Sequence, residues 1–173
     1  MPVERSQSAL IGVDPVDFRR ACGQFATGVT VVAAMDAGGP RGMTANSFTS
    51  VSLEPPMVML AVSRERSLHR LLKLGRRFAV NVLAQEQTEL ADRFAGRGGA
   101  GRNPFAGVRH WLTPDGLPLI DGALAHLVCR LAAVHPAGDH DLFLREVEEV
   151  RRSPGTPLVF FAGGYRALDG RGA

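Results

Sequence analysis

The sequence predicts an all-β fold: a mostly antiparallel barrel with helices at its margins. Three observations carry this. About seven runs rich in Val, Leu, Phe and Thr are separated by short turns containing Gly or Pro. Helical periodicity is confined to short segments between those runs. The chain of 173 residues has no internal repeat and no interdomain linker, and this is the length of one domain with a sizeable core.

Residues 1–13 are aperiodic and are expected to form a flexible tail, with the domain spanning 14–169. Asp14-Pro15 starts a helix: Asp caps free backbone N–H groups and Pro fits the first helical position. Phe18, Ala21, Cys22 and Phe25 make its apolar face, and Thr27-Gly28 ends it. Val29 to Met35 reads as a buried strand. Ala37 to Pro40 turns the chain, and Arg41 to Phe48 returns as the second strand of a hairpin. Met57 to Ser63 shows little alternation, so burial on both faces is expected. Ser67 is expected to cap a helix running to Leu74, with Leu68, Leu71 and Leu72 inward and Gly75 as its stop.

Phe78 to Leu83 is the next strand. Gln85 to Ala95 is helical, with Leu90, Ala91, Phe94 and Ala95 inward. Gly96 to Asn103 reads as a surface loop. It contains Gly96-x-Gly98-x-x-Gly101, formally a dinucleotide fingerprint, which needs a strand before it and a helix after it. A helix precedes it here and Asn103-Pro104 follows, so that reading is rejected. After Trp111, the Pro114-Asp115-Gly116 turn leads to Leu117-Pro118-Leu119. Ala123 to Val134 alternates, with Leu127, Cys129, Leu131 and Ala133 on one face. Pro136-Ala137-Gly138 is a turn. Leu142 to Val150 follows as a strand whose Arg145, Glu146 and Glu148 mark solvent, and Leu158 to Ala162 is the last buried strand.

Composition narrows the function classes. Hydrophobic content of 45% and charged content of 21% are ordinary for a soluble globular protein. The longest apolar run, Met57 to Val62, is far below the ~20 residues that span a bilayer. No apolar segment of signal-peptide length follows Met1, so a cytoplasmic protein without membrane attachment is expected. Cys22 and Cys129 have no metal spacing and read as two free core thiols; the five His are likewise spaced unlike ligands, so no metal is assigned. The net charge is +3, Lys73 is the one lysine among twenty basic residues, and no basic block is interleaved with aromatics. Nucleic-acid binding is therefore not expected.

Chemistry concentrates in Gly42-Met43-Thr44-Ala45-Asn46-Ser47-Phe48-Thr49-Ser50-Val51-Ser52-Leu53. Five hydroxyls and one amide sit there among small and apolar residues, closed off by Glu54-Pro55-Pro56. Ser and Asn weaken a strand by offering competing local hydrogen bonds. The residue types fit either a polar edge strand or a backbone that lies against a flat polar ligand. Ser63-Arg64 and Ser67, ahead of a helix, offer a guanidinium, two hydroxyls and a helix N-terminus, which suits a phosphate as well as a plain capped turn. Glu65 in the same turn opposes an anion unless it faces away. His140 in Gly138-Asp139-His140-Asp141 reads as a solvated turn residue or as a group reaching over a barrel mouth.

Phe25-Ala26-Thr27-Gly28-Val29-Thr30-Val31-Val32 and the Gly42 to Pro56 stretch resemble the opening of the short-chain NAD(P)H:flavin oxidoreductases, the flavin reductase components of two-component monooxygenases. Gly75 to Leu83, Gly138 to Phe143 and Pro157 to Tyr165 are similar to the same family, in the same order, over roughly Phe18 to Leu168. The resemblance implies an FMN-binding split β-barrel, Greek-key and homodimeric. It implies reduction of free FMN or FAD by direct hydride transfer from NADH or NADPH, and reduced flavin supplied to a monooxygenase. It places the flavin against Thr44, Ala45, Asn46, Ser47, Ser50, Val51 and Ser52, against Asn81, Val82 and Leu83, and near Tyr165. It gives the phosphate to Ser63, Arg64 and Ser67, and the nicotinamide side to His140. No side chain is singled out as catalytic, because hydride passes directly between the two rings. The alternatives are a flavin- or haem-binding split barrel without reductase turnover, and a pyridoxal-phosphate-type oxidase of related fold.

Overall fold

Asp14 accepts hydrogen bonds from the backbone N–H of Val16 at 2.7 Å and Asp17 at 3.0 Å, which starts α1 (Pro15–Cys22) as the capping residues require. The computed structural model describes residues 12–75, 77–97 and 103–168. Residues 1–11 of the expected tail, residues 98–102 of the expected glycine-rich loop and residue 169, the expected end of the domain, lie outside them. The apolar face expected of α1 forms but buries nothing: Phe18 is 61% exposed and Phe25, just past the helix, is 78% exposed. Cys22 is likewise exposed, whereas Cys129 is buried, and burial pushes its thiol up to about 12.

The strands are β1 (Thr27–Gly28), β2 (Thr30–Asp36), β3 (Gly39–Ala45), β4 (Phe48–Leu53), β5 (Pro56–Ser63), β6 (Arg77–Val82), β7 (His110–Leu112), β8 (Pro118–Ile120), β9 (Ala125–Ala137), β10 (His140–Arg152), β11 (Val159–Phe161) and β12 (Gly164–Arg166). Two further helices, α2 (Ser67–Leu74) and α3 (Thr88–Phe94), flank them, and a 3₁₀ turn (Gln85–Gln87) leads into α3. The main sheet has seven strands in the order β3-β2-β6-β9-β10-β5-β4, every pair antiparallel. Its two edge strands, β3 and β4, are joined in sequence by Asn46-Ser47 alone. A two-residue link cannot span the width of a flat seven-stranded sheet. The sheet therefore curls until its edges nearly meet and leaves a seam between β3 and β4.

The core lies on both faces of this curled sheet. On one face Val32, Val58, Leu60, Val62, Phe78, Val80 and Phe143 pack with Leu68 and Leu72 of α2. On the other, Val29, Val31, Ala33 and Leu83 pack with Ala91 and Phe94 of α3. β2 is thus buried on both sides, as its unbroken apolar run required.

The structure corrects several expectations. β5 alternates after all: Val58, Leu60 and Val62 are buried, while Met57, Met59 and Ala61 are half-buried. The α2 N-cap is Arg66, so Ser67 is the first helical residue and caps nothing. The tight turn of the β9–β10 hairpin is Gly138-Asp139, with Gly138 at a positive φ of 60°; Pro136 and Ala137 belong to β9 and His140 to β10. β11, in the run Leu158 to Ala162 expected to be buried, is half-buried along its length, with Leu158 buried just before it. Arg145 does not mark solvent: it is 0% exposed. Its Nη2 donates to the Leu72 carbonyl at 2.6 Å, and its guanidinium lies 4.6 Å from the Phe78 ring centre and 5.2 Å from that of Phe143.

Candidate functional site

The β3–β4 seam organises the site. Ala45 ends β3 with its carbonyl accepting from the buried Thr30 hydroxyl at 2.7 Å. Ser47 donates to the Ala61 carbonyl of β5 at 2.7 Å, and Thr44 donates to the Ala91 carbonyl of α3 at 2.6 Å. The hydroxyls that looked like ligand donors are therefore first of all struts that hold the link between its neighbours. Backbone and side chains of this link then wall an open cavity of about 470 Å³, lined also by Met43, Asn46, Ser63, Arg66 and His140.

Two further depressions share residues with it. One of about 120 Å³ adds Val29, Phe94, Phe160 and Tyr165; its Met43, Thr44, Asn46 and Arg66 are common to both. One of about 810 Å³ runs from Met43, Arg66 and Ser67 across Arg41 to Arg93 and Phe94. Met43 and Arg66 thus sit where the three join. Arg66 is also the N-cap of α2, whose N-terminus carries no side-chain cap. Its uncapped N–H groups and its positive end favour an anion there. Glu65 lines the same cavity from the rim.

The sequence-selected residues separate into two groups. Thr44, Ala45, Asn46, Ser47, Ser63 and His140 line the 470 Å³ cavity, Ser67 lines the 810 Å³ one, and Tyr165 the smallest. The Tyr165 hydroxyl donates to Asp92 at 3.2 Å, and burial together with that carboxylate raises its pKa. The others stand apart. Ser50 and Val51 are exposed on β4 and Ser52 is half-buried there, none of them in these cavities. Asn81 is fully buried, donating to the Val31 carbonyl at 3.1 Å and accepting from the Ile120 N–H at 2.8 Å. Leu83 is a core residue whose N–H donates to Val29, and Val82 lies between them in chain order. These three hold the sheet together.

Arg64 is turned the other way. Its Nε and Nη2 donate to Asp141 at 2.9 and 2.7 Å, Nη1 donates to the Gly138 carbonyl at 2.9 Å and Nη2 to the His140 carbonyl at 3.1 Å. It lines a separate hollow with His69, Lys73 and Asp141. Of Arg64-Glu65-Arg66, it is Arg66 and not Arg64 that lines the three joined cavities. The usable signal was proximity, since Arg66 adjoins the first helical residue. Met43 belongs to the singled-out stretch but had no role of its own there, and Phe94 and Phe160 read as core; tertiary packing brings them here.

His140 opens β10, paired with Ala137 on one side and Ser63 on the other. Its Nδ1 is 2.7 Å from the Asp139 carboxylate. Among the described residues no cluster of His, Cys, Asp or Glu could hold a metal ion.

The flavin reductase-like domain model matches residues 22–169. The chain belongs to the flavin reductase-like family. Among its relatives, this flavin reductase-like chain is 39% identical over 160 residues to an NADH-dependent flavin reductase of a Rhodococcus species, covering 91% of this chain and 88% of that protein. It is 37% identical to HsaB of Rhodococcus jostii, the reductase subunit of a flavin-dependent monooxygenase, covering 91% and 80%. The structure is similar to that of the NADH:FAD oxidoreductase SgcE6 of Streptomyces globisporus in complex with NAD and FAD fragments. That similarity has a TM-score of 0.85 and 41% identity, and covers 92% of this chain and 97% of that one. The curled sheet with its β3–β4 seam is accordingly the split barrel of this flavin reductase-like family.

Proposed function

We propose that the chain reduces free flavin with NADH and that the joined cavities around Met43, Arg66 and His140 are where this happens. The observation that carries the reading is one cavity lined both by Arg66, at an uncapped helix N-terminus, and by His140, with the small-residue link Ala45–Ser47 beside them. The family and the NADH-dependent reductases among the relatives support it.

The residues fit a flavin mononucleotide or the matching half of FAD. Arg66 and the N–H groups at the start of α2 hold the phosphate. The link Thr44–Ser47 offers backbone groups and the Asn46 amide to the pyrimidine edge. Met43, Phe94 and Phe160 give the rest of the ring an apolar wall. A flavin held there would supply the acceptor for the hydride of NADH. His140, at the rim, holds the nicotinamide in register with the ring, and the chain's part is orientation and exclusion of water.

The exposed apolar side chains Val16, Phe18 and Phe25, with Val51 and Leu53 on the edge strand β4, are read as the contact with a second copy. The reduced flavin passes to a monooxygenase component, as the HsaB kinship supports. No helix among the described residues is long and apolar enough to cross a membrane, and a cytoplasmic site of action is part of the proposal.

The test mixes the pure protein anaerobically with NADH or NADPH and with FMN, FAD or riboflavin. Loss of the yellow absorbance with NADH is the expected result. Flavin binding without any NADH-dependent bleaching overturns the reading.

A further inference from the structure

We propose that Arg64 and Asp141 are positioning residues for His140: together they pin the tip of the β9–β10 hairpin to the end of β5 and so fix where the His140 ring stands. The proposal rests on the reading of the cavity beside His140 as the nicotinamide side of the site.

Successive residues of a strand point to opposite faces. His140 faces the cavity walled by Thr44–Ser47, and Asp141 faces α2. A hairpin tip is the part of a sheet that opens most readily, because it has the fewest neighbours. This tip is braced by one side chain. Arg64 follows β5 directly, in register with it, since Ser63 pairs with His140. Its backbone N–H donates to the Asp139 carbonyl at 3.1 Å. Its guanidinium spans the Gly138 and His140 carbonyls and the Oδ1 of Asp141 at 2.7 to 3.1 Å. Every residue from Gly138 to Asp141 is thus bonded to Arg64. The other carboxylate oxygen, Oδ2, is 2.9 Å from Nε2 of His69 and 3.7 Å from the Lys73 ammonium, both on α2. The carboxylate side chain is 5% exposed, so the pair is partly shielded from water.

The consequence is a rigid path through the site. α2 carries Arg66 at its N-cap and is tied by His69 to Asp141; Asp141 is tied by Arg64 to the hairpin; the hairpin carries His140. The two ends of the cavity are therefore held at one separation by groups that line neither end. The planar guanidinium, with five donors in a fixed fork, is the group that can reach three acceptors at once. A lysine ammonium in its place carries its three donors on one atom and lacks that fork.

The test compares Arg64→Lys, Arg64→Ala and His140→Ala with the parent. Arg64→Lys retains the ion pair with Asp141 and is expected to melt near the parent. It is nonetheless expected to raise the KM for NADH by roughly ten-fold, since a displacement of ~1 Å can cost far more than that in rate. Its FMN affinity is expected to stay within about two-fold of the parent's. Hydrogen exchange of the ligand-free protein gives a readout apart from activity: amides of residues 138–141 are expected to exchange faster in Arg64→Lys and faster still in Arg64→Ala. Parent-like NADH kinetics together with parent-like exchange in both Arg64 variants overturn the proposal. So does a selective loss of FMN over riboflavin with the KM for NADH unchanged, which would make Arg64 a phosphate ligand. If exchange quickens in the Arg64 variants while His140→Ala keeps the parent's NADH kinetics, the brace stands and the assignment of His140 to the nicotinamide side falls.

Discussion

Arg145 on β10 donates from Nη2 to the Leu72 carbonyl of α2 at 2.6 Å, and it does so from a side chain with no exposure to solvent. Its Nε and Nη1 have no hydrogen-bond partner among the described residues. Burial lowers the guanidinium to about 10. With Phe143 and Asp141 it forms a column on the inner face of β10, since residues two apart share a face. His69 stacks edge-on against Phe143 at 5.4 Å and meets Asp141 at 2.9 Å. α2 is thus held at His69 and at Leu72, about one turn apart, by residues on the same face of one strand.

This grip predicts opposite outcomes for two substitutions. Arg145→Ala leaves a cavity and an unpaired carbonyl, and is expected to cost about 2–5 kcal/mol. Arg145→Met also gives up the bond to the Leu72 carbonyl, but it nearly keeps the volume and removes a buried charge with two unmet donors; the two effects offset, so it is expected to change stability by less than ~1.5 kcal/mol in either direction. Urea titrations measure both. Equal, large losses would mean that the guanidinium is better satisfied than its surroundings indicate.

Arg66→Ala is expected to weaken FMN more than riboflavin, which lacks the phosphate. A charge-assisted contact contributes roughly 1.5–3 kcal/mol, so FMN affinity is expected to fall about ten-fold or more. Fluorescence titration with both ligands measures the difference. An equal loss for both would mean that Arg66 acts through the fold of the α2 turn.

Asp141 predicts a pH signature. The Arg64 guanidinium, then the His69 hydrogen bond, hold its carboxyl below the ordinary carboxylate range against the effect of desolvation. A depressed folded-state pKa contributes stability above the unfolded-state value, about 3.9, and loses it as pH falls through the folded-state value. The stability difference between the parent and Asp141→Asn is therefore expected to be largest near neutrality and to shrink below about pH 4. A difference that grows on acidification would contradict the assignment.

The barrel was legible in the sequence because its punctuation is local. Asp14-Pro15, Ala37 to Pro40 and Glu54-Pro55 each announce an element end through their own backbone preferences. Periodicity placed α3, and the apolar run placed β2. What stayed hidden was direction. The polarity of Arg145 said solvent, and only Phe78, Phe143 and the Leu72 carbonyl, all distant in sequence, give it a place inside. Arg64 and Arg66 look alike as residue types; β-pairing of Ser63 with His140 decides that Arg64 meets the hairpin. Asn81 resembled a flavin contact, yet it satisfies two buried backbone groups that no local pattern reveals.

The exposed apolar residues predict self-association. Phe18, at 61% exposure, and Leu53, at 87%, are large side chains that a monomer leaves in water. Light scattering at micromolar concentration is expected to give about twice 18.5 kDa. Phe18→Asp is expected to shift that mass toward the monomer, and a monomeric parent would remove the claim.

The most direct test of the account is anaerobic stopped-flow mixing of the FMN-loaded protein with NADH, for the parent and for His140→Ala. The parent is expected to lose its yellow absorbance with a rate that saturates in NADH. His140→Ala is expected to need a higher NADH concentration or to reach a lower limiting rate, while its FMN dissociation constant and melting temperature stay near the parent's. A parent that binds FMN but is not bleached by NADH would contradict the account at its centre.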